Sequence, residues 1–157
     1  MGAKDKVPWA KIIRARLNIP SHAFISWVFV QHRLPTKKRL DRFKPQQNLT
    51  CSKCNTAEED ETHLLFTCSY PREVWADIGN WWRHIPIAQN SPQLLNQMLH
   101  SKGTRASKDI IGPITIATIY HIWTARNQLI FNEYKLSAQY RMRRIKDHVR
   151  QTIPFLH

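Results

Sequence analysis

Apolar residues recur at helical spacing along most of the chain, and the alternation typical of strands is scarce. A first short helix is expected to begin at Pro8 and to end at Pro20, and Ser21 can cap a second helix. From Phe24 to Val30 that second helix is apolar nearly all round, which is typical of a core position. We therefore expect it, with Trp27, at the centre of the fold.

The pattern predicts further helices after Leu34-Pro35 interrupts the second one. Thr36 is expected to cap a short basic helix, and Ser69 to cap a longer amphipathic one. Pro113 is expected to kink the next-to-last helix or to delay its start. The remaining expected helices cover residues 94–99, about 109–131 and about 137–152. The fold class predicted is mostly α.

All three cysteines lie in one 18-residue window, CSKCNTAEEDETHLLFTC. The spacing Cys51-x2-Cys54-x8-His63-x4-Cys68 offers three thiolates and one imidazole, a ligand set that suits tetrahedral Zn²⁺. Four protein ligands leave no position for water or substrate, so one structural zinc ion is predicted as the only cofactor. The polar loop between Cys54 and His63 cannot build a core by itself, so the metal is expected to clamp it.

Other histidines are spread along the chain and are expected to be surface or core-edge residues. Their spacing predicts no second metal site. They are His22, His32, His84, His100, His121 and His148.

The polar stretch at 101–108 (SKGTRASK) is the best candidate for a linker. It predicts a zinc-binding helical domain over residues 1–100, with the zinc segment at 51–68, and a C-terminal helical subdomain over 109–157. The overall architecture predicted is a helical domain with a CCHC zinc-clamped loop.

A formal net charge of +13 is unevenly distributed. Residues 1–50 and 101–157 are strongly basic, whereas 51–100 is acidic, with four carboxylates in the zinc loop. A basic protein usually meets a polyanion, and nucleic acid is the commonest one. Because the acidic loop would repel phosphate, RNA or DNA contacts are expected on the basic segments instead.

Two clusters supply these expected contacts. The first surrounds the N-terminus of the short basic helix, where amides and cations together favour a phosphate; a solvated basic turn or a nuclear import signal remains the alternative. The second lies on the C-terminal helix, which can also be an ordinary amphipathic surface helix. The candidate residues are Arg33, Lys37, Lys38, Arg39, Arg42, Arg141, Arg143, Arg144, Lys146 and Arg150.

Several classes of protein are disfavoured by what the sequence lacks. No stretch approaches the roughly 18 apolar residues of a membrane span, and the N-terminus has no signal-peptide core. We find no Gly-rich phosphate loop and no Ser/His/Asp arrangement, so no catalytic residues, no enzyme activity and no small-molecule substrate are expected. The expected location is the nucleus, the cytoplasm or both, without secretion.

Several of these motifs together resemble the zinc-binding domain that follows reverse transcriptase in plant non-LTR (LINE-type) retrotransposons. The resemblance rests on Arg33-Leu34-Pro35-Thr36, on Cys51-x2-Cys54 with His63-Leu64-x-Phe66-x-Cys68, and on the segment Ile122 to Asn127 with Ile130-Phe131. It implies zinc ligands at Cys51, Cys54, His63 and Cys68. It also implies a role beside a polymerase, gripping template RNA or target DNA.

The chain departs from such polyproteins because 157 residues cannot hold a polymerase or an endonuclease. It begins with its own Met, which leads us to expect an excised domain, a degenerate remnant or a domesticated gene. In a domesticated protein the zinc fold can serve instead as a protein–protein interaction adapter. Two hypotheses thus remain from the sequence: a nucleic-acid-binding module and an adapter for a protein partner.

Overall fold

The computed structural model describes residues 9–45, 48–83, 85, 88–101, 103–131 and 137–153, apart from the side chain of Lys108. These residues form seven α-helices, a π-helical turn at His63–Thr67 and one isolated β-bridge. The mostly α fold class is confirmed. The helices are α1 (Ala10–Ile13), α2 (Pro20–Val30), α3 (Lys37–Asp41), α4 (Ser69–Trp81), α5 (Ser91–Leu99), α6 (Arg105–Phe131) and α7 (Ala138–Thr152).

Helix α6 is the central element, because it packs against α2, α7 and the π-helical turn. Its residues from Ile110 to Ile119 are all buried, and Ile122 is buried one turn further on. The buried hydroxyl of Thr118 donates to the Ile114 carbonyl at 2.8 Å, which satisfies it without a partner from another helix. The helix begins four residues before its expected start, so Pro113 does not delay it.

Helix α2 buries only one of its sides in the core. His22, Ser26 and Phe29 are buried, whereas Phe24 is 62% exposed and Trp27 is 40% exposed. The prediction of a core position for Trp27 is wrong. A helix that is apolar nearly all round carries no internal signal for its buried face, so packing against α6 selects that face. The helix also begins at Pro20, one residue before the expected cap Ser21.

The other helix starts are close to those expected. The Thr36 hydroxyl accepts the amide of Arg39 and caps α3, as predicted. Helix α4 begins at Ser69 itself, with Cys68 in the capping position. The expected start of the first helix at Pro8 lies outside the described residues.

The predicted division at 101–108 stays a prediction. Helix α6 begins inside this stretch, at Arg105. Buried residues from both sides of it, among them Phe29, Leu65, Ile114 and Ile145, belong to one hydrophobic cluster. None of the described helices is long and apolar enough to cross a membrane.

A buried ion pair joins the zinc loop to α6. The carboxylate of Glu59 is fully buried, and the guanidinium of Arg126 contacts it at 2.6 Å through Nη2 and at 3.1 and 3.2 Å through Nε. The same carboxylate accepts the backbone amide of Lys37 at 3.0 Å. One side of the guanidinium lies 5.0 Å from the Trp123 ring. Such a pair persists in a core because each charge is hydrogen-bonded as well as paired.

Breaking this pair from one side should destabilise the fold strongly. Arg126→Met leaves the Glu59 carboxylate buried without its cation, which costs about 3–5 kcal/mol of unfolding free energy in comparable cases. Lys38→Met is the matched control, because it breaks an exposed ion pair with Glu58 and should cost at most about 1 kcal/mol. Urea unfolding measures both.

A second variant isolates the buried charge. Glu59→Gln combined with Arg126→Met removes both charges, so it should recover part of the stability that Arg126→Met alone loses. Equal unfolding free energies for Arg126→Met and Lys38→Met would contradict a structural role for the buried pair.

Candidate metal centre

The first two cysteines sit on a tight turn that folds the chain back on itself. The Cys51 amide donates to the Ala57 carbonyl at 2.8 Å, and the Asn55 amide donates to the Cys51 carbonyl at 2.9 Å. Asn55 has a φ of 57°, a left-handed conformation that Asn tolerates better than most residues. A β-bridge between Thr50 and Glu58 closes the loop. The turn therefore brings the Cys51 and Cys54 sulfurs to one place.

The other two ligands flank the π-helical turn. The Cys68 amide donates to the His63 carbonyl at 2.9 Å, a bond spanning five residues that is characteristic of π-helical geometry. Asp60 starts the turn by accepting the His63 amide at 2.7 Å. Phe66, in the middle of the turn, stacks nearly parallel to the Trp75 ring, with centroids 6.2 Å apart. Hydrophobic packing thus holds the second ligand pair in position.

These four side chains converge as predicted. The candidate ligand atoms of Cys51, Cys54, His63 and Cys68 all lie within 4.8 Å of one another. Cys54 Sγ and His63 Nε2 are 3.2 Å apart, and all three cysteines are free thiols. Tetrahedral zinc, with bonds of about 2.3 Å to sulfur and 2.0–2.1 Å to nitrogen, requires ligand atoms roughly 3.5–3.8 Å apart. The arrangement fits one zinc ion after small adjustments.

Hydrogen bonds among the thiols favour metal binding. A hydrogen bond from Cys68 lowers the pKa of Cys51 to about 4, while the same contact raises the pKa of Cys68. Burial raises the pKa of Cys54, but hydrogen bonds with Thr56 and His63 together outweigh it and the net shift of the pKa is downward. One thiolate therefore forms readily, and a dication would displace the remaining thiol protons.

Outer contacts orient the ligands. The Thr67 hydroxyl lies 3.3 Å from Nδ1 of His63, which leaves Nε2 facing the sulfurs. The Thr56 hydroxyl donates to Cys54 Sγ at 3.2 Å. Contacts of this kind fix the ring orientation and adjust ligand basicity. With three sulfurs and one nitrogen in place, the shell is complete, which is the pattern of a structural rather than a catalytic zinc site.

Comparison with known families agrees with this geometry. Residues 1–75 match the model of a family described as zinc-binding in reverse transcriptase, and all four ligands fall within the match. This segment is similar to a zinc-binding domain associated with reverse transcriptase. One structural zinc is the cofactor that the Cys3His site and the matched zinc-binding family both indicate. No curated protein and no solved structure matched the chain.

Within the matched segment, the N-terminus of α3 is already capped. Glu59 accepts the Lys37 amide with its side chain and the Lys38 amide, at 3.1 Å, with its backbone carbonyl. A phosphate at this terminus would have to displace a buried carboxylate that is also bound to Arg126. The expected docking of phosphate on these amides is therefore corrected: the protein supplies its own anion.

The basic side chains of α3 also have partners in the protein. Lys37 Nζ donates at 2.7 Å, Lys38 Nζ forms an ion pair at 3.2 Å, and Arg39 Nη1 donates at 3.1 Å. Arg33 and Arg42 are exposed at either side. The partners of Lys37, Lys38 and Arg39 are, in that order, the Thr50 carbonyl, the Glu58 carboxylate and the His32 carbonyl.

Helix α7 exposes most, but not all, of its expected contacts. Arg143, Arg144 and Arg150 are exposed and Lys146 is half-buried. Arg141 is buried, so its prediction as a nucleic-acid contact is corrected. The reason is visible in the sequence, since position 141 lies one helical turn before Ile145 on the inward face.

Two features of the structure were missed by the sequence analysis. The acidic loop was expected to act through repulsion, whereas Glu58, Glu59, Asp60 and Glu61 each have a specific partner. Residues far apart in sequence supply three of those partners, namely Lys38, Arg126 and His32, and spacing gives no signal for such pairs. The second missed feature is a cluster of His22, His121 and His148, which comes from three different helices.

Loss of one zinc ligand should remove the clamp. Cys68→Ser should abolish stoichiometric zinc and lower the melting temperature by about 10 °C or more. The loss of the metal removes several kcal/mol of unfolding free energy, and each kcal/mol corresponds to about 2–4 °C in a protein of this size. Ser69→Ala is the neighbouring control, expected to keep both zinc and melting temperature. Metal content by elemental analysis and thermal melts test this, and an unchanged melt in Cys68→Ser would refute the clamp.

Proposed function

We propose that the chain is a non-enzymatic, zinc-stabilised module that binds RNA or DNA mainly through phosphate contacts. The match to a zinc-binding family of reverse transcriptase supports a retrotransposon origin, for which a plant LINE-type polyprotein is our specific hypothesis. In that setting the module grips template RNA or target DNA beside the polymerase, in the nucleus or the cytoplasm.

The outward face of α7 is the observation that carries the proposal. It presents Arg143, Arg144, Lys146 and Arg150, while Asp147 is the one carboxylate among them and approaches Arg150 only at 3.9 Å. The inward face is fixed by buried residues of the core, which include Ile145 and Val149. Because the helix is anchored, its cations are held in a fixed row and can meet a phosphate backbone without a large ordering cost.

The end of α4 adds an aromatic ring to this surface. Lys146 Nζ lies 5.6 Å and the Arg150 guanidinium 5.8 Å from the centre of the Trp81 ring. Cations stacked on an aromatic ring are positioned by it while their remaining N–H groups stay available. This favours Lys146 and Arg150 as oriented phosphate contacts.

A second surface surrounds α3. Lys38, Arg39 and Arg42 line a cleft of about 430 Å³, although Asp60 and Glu61 line it as well. Phe43 is 74% exposed beside Arg39, whose guanidinium is 5.5 Å from the ring. An exposed aromatic residue among cations suits an unpaired base better than a duplex. We infer that this surface contributes to single-stranded binding and that α7 supplies most of the affinity.

The second candidate function is the protein–protein adapter. Phe24 and Trp27 lie one helical turn apart on α2 and are both exposed. An exposed aromatic pair of this kind is enriched in protein interfaces. The two functions differ in their salt dependence, since apolar contacts do not release counterions.

Binding of the zinc-loaded protein to short single- and double-stranded RNA and DNA over a salt series tests the proposal. We expect affinity to fall steeply and linearly on a log–log plot, with low sequence specificity because phosphates carry no sequence information. Absence of binding to all four probes at low salt would reject the nucleic-acid function and favour the adapter.

A charge variant tests the assignment to α7. Arg143→Ala with Arg144→Ala should weaken binding and reduce the salt slope by about 2, one for each lost phosphate contact. Lys11→Ala with Arg14→Ala is the control, because it removes the same charge from exposed positions on and after α1. Equal losses in both double variants would indicate that net charge, rather than the α7 surface, drives binding.

A further inference from the structure

Three histidines from three helices meet beneath the surface. His22 comes from the first turn of α2, His121 from the middle of α6 and His148 from the last turns of α7. Their candidate ligand atoms all lie within 4.8 Å of one another. His121 Nε2 and His148 Nδ1 face each other at 2.9 Å, and the His22 ring centroid is 5.5 and 5.3 Å from theirs.

The surroundings fit a ligand better than a simple packing role. His22 and His121 are each 3% exposed, and His121 Nδ1 is buried without a hydrogen-bond partner. A small cavity of about 10 Å³, the space of roughly one water, borders His22 and His148. His148 is half-buried, which provides a route from solvent.

We propose that His22, His121 and His148 form a second site for a divalent transition metal, with Zn²⁺ as the ion. Three imidazole nitrogens are a ligand set that zinc accepts. The helices α2, α6 and α7 would then be cross-linked at one point, distant in sequence from the Cys3His site. The proposal does not depend on nucleic-acid binding.

The protonation state of the cluster is compatible with metal binding. Burial, followed by the charge of His148, lowers the pKa of His22 to about 4. Burial, followed by the other two histidines, lowers the pKa of His121 to about 3. At neutral pH both rings are therefore uncharged. One proton lies in the hydrogen bond between His121 Nε2 and His148 Nδ1. If a metal binds both of these nitrogens, that proton must move to the other nitrogen of the imidazole ring that carries it.

Nearby charges act in both directions. Arg141 and Arg144 disfavour a cation at His121, and Arg144 does so at His148, whereas Asp147 favours positive charge at His148. The site should therefore bind zinc more weakly than the thiolate site, and it should fill only after Cys51, Cys54, His63 and Cys68 have their ion.

Zinc titration of the full chain tests the proposal. Protein loaded with one equivalent of Zn²⁺ should bind a second equivalent in calorimetry. With Co²⁺ the first equivalent should show thiolate charge-transfer absorption and the second should add ligand-field bands without it. His148→Gln should weaken the second event by more than the 10–100-fold typical of an outer-contact loss. His100→Gln, an exposed histidine at the end of α5, is the control and should leave it unchanged.

Imidazole nitrogen NMR of the wild-type protein keeps the test valid if His148→Gln folds poorly. The second equivalent of Zn²⁺ should shift the signals of His22, His121 and His148 together. Three results would overturn the proposal: binding of only one zinc ion, a second zinc ion that shifts the signals of other histidines, or unchanged affinity for the second ion in His148→Gln. The cluster would then contain a hydrogen-bonded histidine pair without a metal.

Discussion

The buried ion pair between Glu59 and Arg126 is the contact on which the arrangement of the zinc loop depends. Glu59 binds Arg126 of α6 and the Lys37 amide at the start of α3 with the same carboxylate, while its backbone groups pair with Leu49 and Lys38. Three segments that are remote in sequence thus meet at one fully buried residue. Because a buried charge without its partner is expensive, these segments keep their relative positions only together.

Zinc ligation and hydrophobic packing stabilise different parts of this region. The turn after Cys51 is polar and gains order from backbone hydrogen bonds and the metal ligands, since it has few apolar side chains to bury. The π-helical turn does the opposite, because Leu64, Leu65 and Phe66 are buried against α4 and α6. The metal links the polar loop, which has little apolar surface to bury, with the well-packed π-helical turn. This is the physical role of a structural zinc site.

The distribution of charge over the surface differs from its distribution along the chain. The cations Lys37, Lys38 and Arg39 of α3 contact carbonyl and carboxylate oxygens of the protein, so these three are engaged within the fold. On α7 the buried stripe turns the basic residues outward, with the exception of Arg141. A net charge of +13 therefore favours a polyanion as a partner, while the fold determines which cations are accessible to it.

Local information determined much of this protein. Helical periodicity predicted the mostly α class and most helix boundaries to within a few residues, and Thr36 was predicted as a cap. Ligand spacing predicted the four residues of the zinc site. Each of these features depends on neighbours within about 20 positions in the sequence. Tertiary structure alone decided which face of α2 is buried, that Glu59 pairs with Arg126, and that His22, His121 and His148 meet. These outcomes depend on how α2, α6 and α7 cross one another, and a pattern along the chain records the faces of each helix but not the helix that will cover them.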